Sequence, residues 1–162
     1  MATIHFMHGF IGFGKTTIAK RLETELPAVR LNNDEWVVAL YGRGPHGFQH
    51  PNYLMRIDAL QWELAREIIR TGTDVILDYG FWKKSDRKEL VTRALAFADR
   101  VVIHNVKCDM NTARNRCIAR TAAGGDRQLS ISQDEFDALL PRFEPMLDDE
   151  GFEVITYNSK KE

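Results

Sequence analysis

The chain has 162 residues, 44% of them hydrophobic and 28% charged, with a formal net charge of -1. That length and balance fit one globular domain, residues 1–162, with a substantial core, and the near-zero charge excludes a global basic field for holding nucleic acid. No apolar run reaches membrane-spanning length, and Cys108 and Cys117 form neither a metal-ligand spacing nor a disulfide framework.

Residues 3–7 (Thr-Ile-His-Phe-Met) read as a short buried strand, with no basic and then apolar leader before it; a reduced, cytoplasmic protein is expected. The strand runs into Gly9-Phe10-Ile11-Gly12-Phe13-Gly14-Lys15-Thr16-Thr17, which satisfies G-x-x-x-x-G-K-T, the phosphate-binding P-loop. A helix over 17–26 follows, with Ile18, Ala19 and Leu22 at helical spacing. Strand, glycine loop and helix are the parts phosphate binding requires: backbone N–H groups turn inward and the helix N-terminus adds a favourable dipole. Gly9, Gly12, Phe13, Gly14, Lys15, Thr16 and Thr17 are the expected nucleotide-binding residues, Lys15 reaching the β- and γ-phosphates of ATP and Thr16 placing a hydroxyl on Mg²⁺.

A second strand is predicted at 28–31, followed by a helix carrying Trp36, Val37 and Leu40, for which Asn32, Asn33 and Asp34 compete as N-cap. Residues 41–51, rich in Gly and Pro, read as a loop. His46 and His50 lie in it without carboxylate or cysteine neighbours, so no metal site is expected there. A long helix from about 52 to 70 presents Leu54, Ile57, Leu60, Leu64 and Ile68 as its apolar face. Residues 74–78 form a third strand ending in Asp78, and Ser85 is placed to cap a helix reaching about 97. A strand over 101–106 precedes a helix over about 110–119 that carries Arg114 and Arg116, with Arg120 at its end. Residues 121–128, with Gly124-Gly125, read as a flexible loop; Ser132–Glu135 is a capping box, and 154–157 is a last strand.

Strands alternate with helices five times, which implies an α/β, three-layer sandwich with a five-stranded parallel sheet. In such sheets ligands sit outside the carboxyl ends of the strands, where the P-loop, Asp34, Asp78 and the arginine helix should converge. Asp78 is the candidate for the Mg²⁺ shell rather than a turn aspartate, and Asp34 the candidate for orienting and deprotonating an acceptor hydroxyl rather than a cap. Lys15, Asp34, Arg116 and Arg120 are the candidate catalytic residues; Arg114 and Arg127 are added as nucleotide contacts, against the plainer reading of a charged surface helix. Phe48, Tyr53, Phe81 and Trp82 are candidate apolar walls for an acceptor, Trp82 being equally readable as core.

These residues together resemble the small P-loop kinases of the zeta-toxin, polynucleotide-kinase and chloramphenicol-phosphotransferase group, an AAA-type ATP-binding, kinase-like family. The resemblance rests on G-x-x-G-x-G-K-T at Gly9–Thr16, on Asp34, on the strand-ending Val-Ile-Leu-Asp of 75–78, on Arg116 and Arg120, and on Arg142-Phe143-Glu144-Pro145. It implies the P-loop NTPase fold of the nucleoside-kinase type with strand order 2-3-1-4-5, a mobile lid over about 114–128, and transfer of the ATP γ-phosphate to a hydroxyl. Polynucleotide 5′-hydroxyl kinases place an arginine three residues after the acceptor aspartate, where this chain has Val37. With the near-neutral charge, that favours a small hydroxylated acceptor (metabolite, nucleoside or antibiotic) over a polynucleotide or RNA end. An ATP-binding switch or weak ATPase is the alternative of another class; guanine specificity is rejected, because Asn105-Val106-Lys107-Cys108-Asp109 has the wrong spacing for it.

Overall fold

A computed structural model of the chain describes residues 1–42, 51–124 and 131–159. Its elements are β1 (Thr3–His8), α1 (Lys15–Glu25), β2 (Ala28–Leu31), α2 (Asn33–Tyr41), α3 (Pro51–Arg70), β3 (Asp74–Leu77), α4 (Lys84–Leu95), β4 (Arg100–Lys107), α5 (Met110–Ala123), α6 (Gln133–Leu139), a 3₁₀ turn (Leu140–Arg142) and β5 (Val154–Asn158). All strand pairs are parallel, in the order β2-β3-β1-β4-β5. This is the predicted α/β sandwich with the predicted order. No helix among the described residues is long and apolar enough to cross a membrane.

The central strand is β1, whose Phe6 lies level with Leu77 of β3 and Ile103 of β4. Side chains alternate across a strand, so β1 feeds two cores. Ile4 and Phe6 pack with Trp62, Ala65 and Ile69 of α3 and Val91 and Ala94 of α4. Met7 packs on the other face with Ala19 and Leu22 of α1, Ala113 and Cys117 of α5 and Phe136 of α6.

α3 is turned relative to the predicted face. Leu60 and Leu64 are 52% and 37% exposed, while Ile57, Gln61, Trp62, Ala65 and Ile69 are buried. The indole of Trp62 inserts between Phe6 and Phe97, with ring centroids at 6.0 and 6.2 Å, and Arg93 lies over its face at 4.3 Å. Burying roughly 150–250 Å² of indole is worth about 4–6 kcal/mol, more than two half-covered leucines lose.

Local capping also departs from expectation at α4. Lys83 is the N-cap and makes no side-chain cap bond, and Ser85 hydrogen-bonds Asp86 instead. The Lys84 N–H donates to the Glu144 carboxylate at 2.7 Å, so a distant segment supplies the cap. α5 continues through Ala123, with Gly124 left-handed at φ 68° as its C-cap, so 121–123 are helix rather than loop and Arg120 is one turn inside it. The Ser132–Glu135 capping box forms as predicted.

One buried ion pair fastens the loop after β3 to the C-terminal segment. Arg87 and Glu150 have side chains 1% and 2% exposed. The guanidinium also donates to the carbonyls of Trp82 at 2.8 Å and Glu144 at 3.0 Å. Arg87→Ala would strand the Glu150 carboxylate and free these carbonyls. The expected loss is about 3–5 kcal/mol in urea unfolding, reduced when Glu150→Gln is added.

Candidate active site

The P-loop is built by close approach. Gly9 and Gly12 have φ of 148° and 76°. A Cβ on Gly9 would sit 2.7 Å from the Val106 carbonyl oxygen, and one on Gly12 would sit 2.4 Å from that of Ala113 and 2.9 Å from Cys117 Sγ. The variable positions anchor the loop: Phe10 and Phe13 are buried, and Phe10 meets Trp82, Phe136 and Phe143 at 5.1, 5.1 and 5.3 Å. The Trp82 indole N–H donates to the Gly9 carbonyl at 3.1 Å. α1 begins at Lys15 after Gly14, whose position as N-cap carries no side-chain cap bond, so the first-turn N–H groups are left to a ligand. Lys15 Nζ donates to the Phe10 carbonyl at 2.8 Å. Burial lowers the Lys15 ammonium to about 8, against the opposing pull of Asp78 and Asp34.

At the end of β2, Asn32 resolves the capping competition. Its Oδ1 accepts from the Glu35 N–H at 2.8 Å, and its Nδ2 donates to the Asp78 carbonyl and carboxylate, each at 2.9 Å. Asp34 is thereby left in the first turn of α2, lining the cleft. Asp34 is exposed at the mouth of the cleft. Its carboxyl is raised above the ordinary range, by desolvation first, with Lys15 opposing and Asp78 reinforcing the shift.

Asp78 is 2% exposed. Its Oδ2 accepts from Arg30 Nη1 at 2.8 Å, while Oδ1 stands 3.4 Å from Thr16 Oγ1. Arg30 also holds both carboxylate oxygens of Glu35 at 3.0 and 2.9 Å and reaches Glu23 at 3.3 Å. A hydroxyl and a carboxylate oxygen facing each other across a gap form a hard-oxygen donor set of the kind Mg²⁺ takes together with phosphate oxygens and water. No group of three or more His, Cys, Asp or Glu among the described residues could hold a metal without such help. His46, His50 and Phe48 lie outside the described residues.

The arginines divide. Arg116 lines the cleft and donates to Ser159 Oγ at 2.7 Å. Arg120 lines it one turn on, with its Nε buried and lacking a hydrogen-bond partner, in electrostatic reach of Lys15 and Asp34. Arg114 is not brought to the cleft: it pairs with Asp137 of α6 and lies over the Phe136 ring at 5.4 Å. Residues two apart on a helix do not share a face, which separates it from Arg116. Arg127 lies outside the described residues. Trp82 both lines the cleft and packs in the core, whereas Phe81 turns inward onto Phe6 at 4.5 Å and Tyr53 stacks on Tyr41 at 3.9 Å. The cleft measures about 890 Å³ and runs across the carboxyl ends of the strands, from Asn32–Glu35 to Thr156–Ser159. Arg30 and Asn32 were not anticipated. An arginine on an edge strand is ordinary in sequence, and only its contacts mark it.

Gly12→Ala tests the loop. The added methyl must displace the Ala113 carbonyl and hold φ near 76°. Binding of an ATP analogue is expected to weaken at least roughly tenfold, the equivalent of about 1.4 kcal/mol, in a protein with native circular dichroism. Gly42→Ala, at φ 79° but with nothing within 4 Å, should leave it unaffected.

Similarity to known proteins agrees with this geometry. No curated protein matches the chain. Among solved structures, a candidate kinase from Chloroflexus aurantiacus J-10-fl superposes with TM-score 0.75 at 16% identity, covering 97% of this chain and 85% of that one. A gluconokinase from Sinorhizobium meliloti 1021 gives 0.61 at 12% identity, covering 99% and 83%. A chain of the Pnkp1/Rnl/Hen1 RNA repair complex gives 0.69 at 20% identity, covering 87% of this chain but 43% of that one. At such identities these likenesses show a shared fold. A family model described as an AAA domain, AAA_33, matches residues 4–146, nearly the whole of the described sheet and its helices, and the chain therefore belongs to that P-loop, kinase-like family.

Proposed function

We propose that the protein is an ATP-dependent kinase that transfers the γ-phosphate to a hydroxyl of a small molecule. The observation that carries this reading is the meeting of Lys15, Asp34, Asp78 and Arg120 within electrostatic reach in one cleft of about 890 Å³. Phosphoryl transfer asks the protein mainly for positioning and charge stabilisation, and these groups supply both.

In this reading the α1 N-terminus and the loop N–H groups bind the phosphates. Lys15 leaves the Phe10 carbonyl for the β- and γ-phosphates. Thr16 and Asp78 hold Mg²⁺, which neutralises phosphate charge when bound. Asp34 accepts the acceptor hydroxyl's proton as the new O–P bond forms and the bond to ADP breaks, and its raised carboxyl makes it a better base than an ordinary aspartate. Arg116 and Arg120 stabilise charge on the transferring group. The lid expected over about 114–128 lies in part outside the described residues, as does Arg127, and its described part is the helix packed on the P-loop.

A small acceptor is favoured over a nucleic-acid end because Val37 is 0% exposed, packed with Ile57. That position offers no phosphate contact. The fold likeness to an RNA repair chain keeps 5′-end phosphorylation as the alternative to be assayed.

Asp34→Asn is expected to keep ATP and Mg²⁺ binding but lose roughly 10²–10⁴-fold in transfer; undiminished acceptor phosphorylation removes Asp34 from the mechanism. Nucleotide binding should also depend on pH through Lys15. Phosphates favour the ammonium and raise its pKa, so binding takes up a proton. Affinity is therefore full below about 8 and weakens as pH rises through it, a dependence that Lys15→Ala abolishes along with at least roughly 100-fold in rate.

A further inference from the structure

Asp78 offers the cleft one carboxylate oxygen and keeps the other for the protein. Its side chain is 1% exposed. Oδ2 accepts from Arg30 Nη1 at 2.8 Å and from Asn32 Nδ2 at 2.9 Å, so a charged and a neutral donor both occupy it. Oδ1 stands 3.4 Å from Thr16 Oγ1, too far for a strong hydrogen bond. Lys15 lines the same cleft and acts on this carboxylate by charge, while its ammonium is bonded to the Phe10 carbonyl. Oδ1 is therefore the oxygen left for a cation.

Neither donor on Oδ2 can swing away. The Asn32 amide is fixed at its other end, where Oδ1 accepts from the Glu35 N–H at 2.8 Å as the cap of α2. That leaves Nδ2 facing Asp78, whose backbone carbonyl it also reaches at 2.9 Å. Arg30 has a side chain only 9% exposed, held by both oxygens of Glu35 at 3.0 and 2.9 Å and by Glu23 at 3.3 Å. The Asp78 N–H donates to the Leu31 carbonyl at 2.8 Å, so backbone and side chain of Asp78 are both fixed. A cation taking both carboxylate oxygens would have to displace two donors and lie against a guanidinium.

Divalent cations differ in what they ask of a carboxylate. Ca²⁺ takes about six to eight oxygens in flexible geometry and readily accepts both oxygens of one carboxylate. Mg²⁺ demands near-octahedral geometry and completes its shell with phosphate oxygens and water around one or two carboxylates. Groups behind a ligating carboxylate set how it meets the metal. We propose that Arg30 and Asn32 are positioning residues that restrict Asp78 to a single coordinating oxygen and so make the nucleotide site select Mg²⁺ over Ca²⁺. The inference rests on the reading of Thr16 and Asp78 as the Mg²⁺ holders. Arg30 acts on the cation through Asp78, and a residue with a merely structural role would not change which cation is preferred.

The experiment measures the affinity of the protein for a non-hydrolysable ATP analogue saturated with either Mg²⁺ or Ca²⁺, so that the ratio reports the protein's own preference. The Mg²⁺ complex is expected to bind at least roughly tenfold more tightly. Arg30→Gln and Asn32→Ser release Oδ2, the second while keeping a residue that can cap α2. Each should cut the ratio at least roughly threefold, chiefly by tightening the Ca²⁺ complex, with circular dichroism reporting on the fold. Arg30→Lys, which keeps a cation beside Oδ2, should restore most of the preference. Asp78→Asn should weaken binding of the Mg²⁺ complex. A wild-type ratio near one, or a ratio unmoved in folded Arg30→Gln and Asn32→Ser proteins, overturns the selection; if Asp78→Asn still weakens the Mg²⁺ complex, the metal site stands without it. An Asp78→Asn protein that binds the Mg²⁺ complex as tightly as the wild type removes the metal site itself, and the selection with it.

Discussion

The contact on which the rest depends is the wedge of the P-loop between β4 and α5. Gly9 and Gly12 come so close to the Val106 and Ala113 carbonyls that no side chain fits at either position. Because α5 rests directly on the loop, the phosphate cradle and the arginine helix form one packed unit. Ala113 and Cys117 face the loop, which turns Arg116 and Arg120 to the cleft and Arg114 to α6. The buried phenylalanines of the loop complete the unit from below, where Phe10 meets Phe136 and Phe143.

Two arginines do for the other end of the cleft what those contacts do for the P-loop. Arg30 ties Asp78 to Glu35, so the end of β3 and the first turn of α2 move as one. Arg87 ties the loop after β3 to the segment around Glu144 and Glu150. Trp82, on that loop, reaches the Gly9 carbonyl and joins the two halves of the site. Pre-organisation of this kind holds the polar groups of the cleft in place without a reorganisation cost when a ligand binds.

A third polar chain crosses the sheet. His5 Nδ1 and His104 Nε2 are 2.9 Å apart, and His104 Nδ1 is 2.9 Å from the Tyr157 hydroxyl, at the rim of the cleft. Burial lowers the pKa of both imidazoles, that of His104 to about 4, while Asp74 opposes the shift at His5. Their ring nitrogens thus serve as fixed hydrogen-bonding groups in an otherwise apolar layer.

What the sequence by itself determined was whatever depends on near neighbours in the chain. The P-loop, the strand–helix alternation, the Ser132 capping box and the placing of Asp34 and Asp78 at strand ends all follow from local spacing and turn chemistry. The strand order came from the family resemblance, and the sheet bears it out. Only the tertiary structure decided which side of α3 goes inward, because the bulk of Trp62 against Phe6 and Phe97 outweighs a leucine stripe. It alone made Glu144 rather than Ser85 the partner of the first turn of α4, turned Phe81 into the core, and gave Asp78 its hold on Arg30 and Asn32. Each of these joins residues far apart in the chain. Their energies depend on which surfaces folding brings together, and no local pattern carries that information.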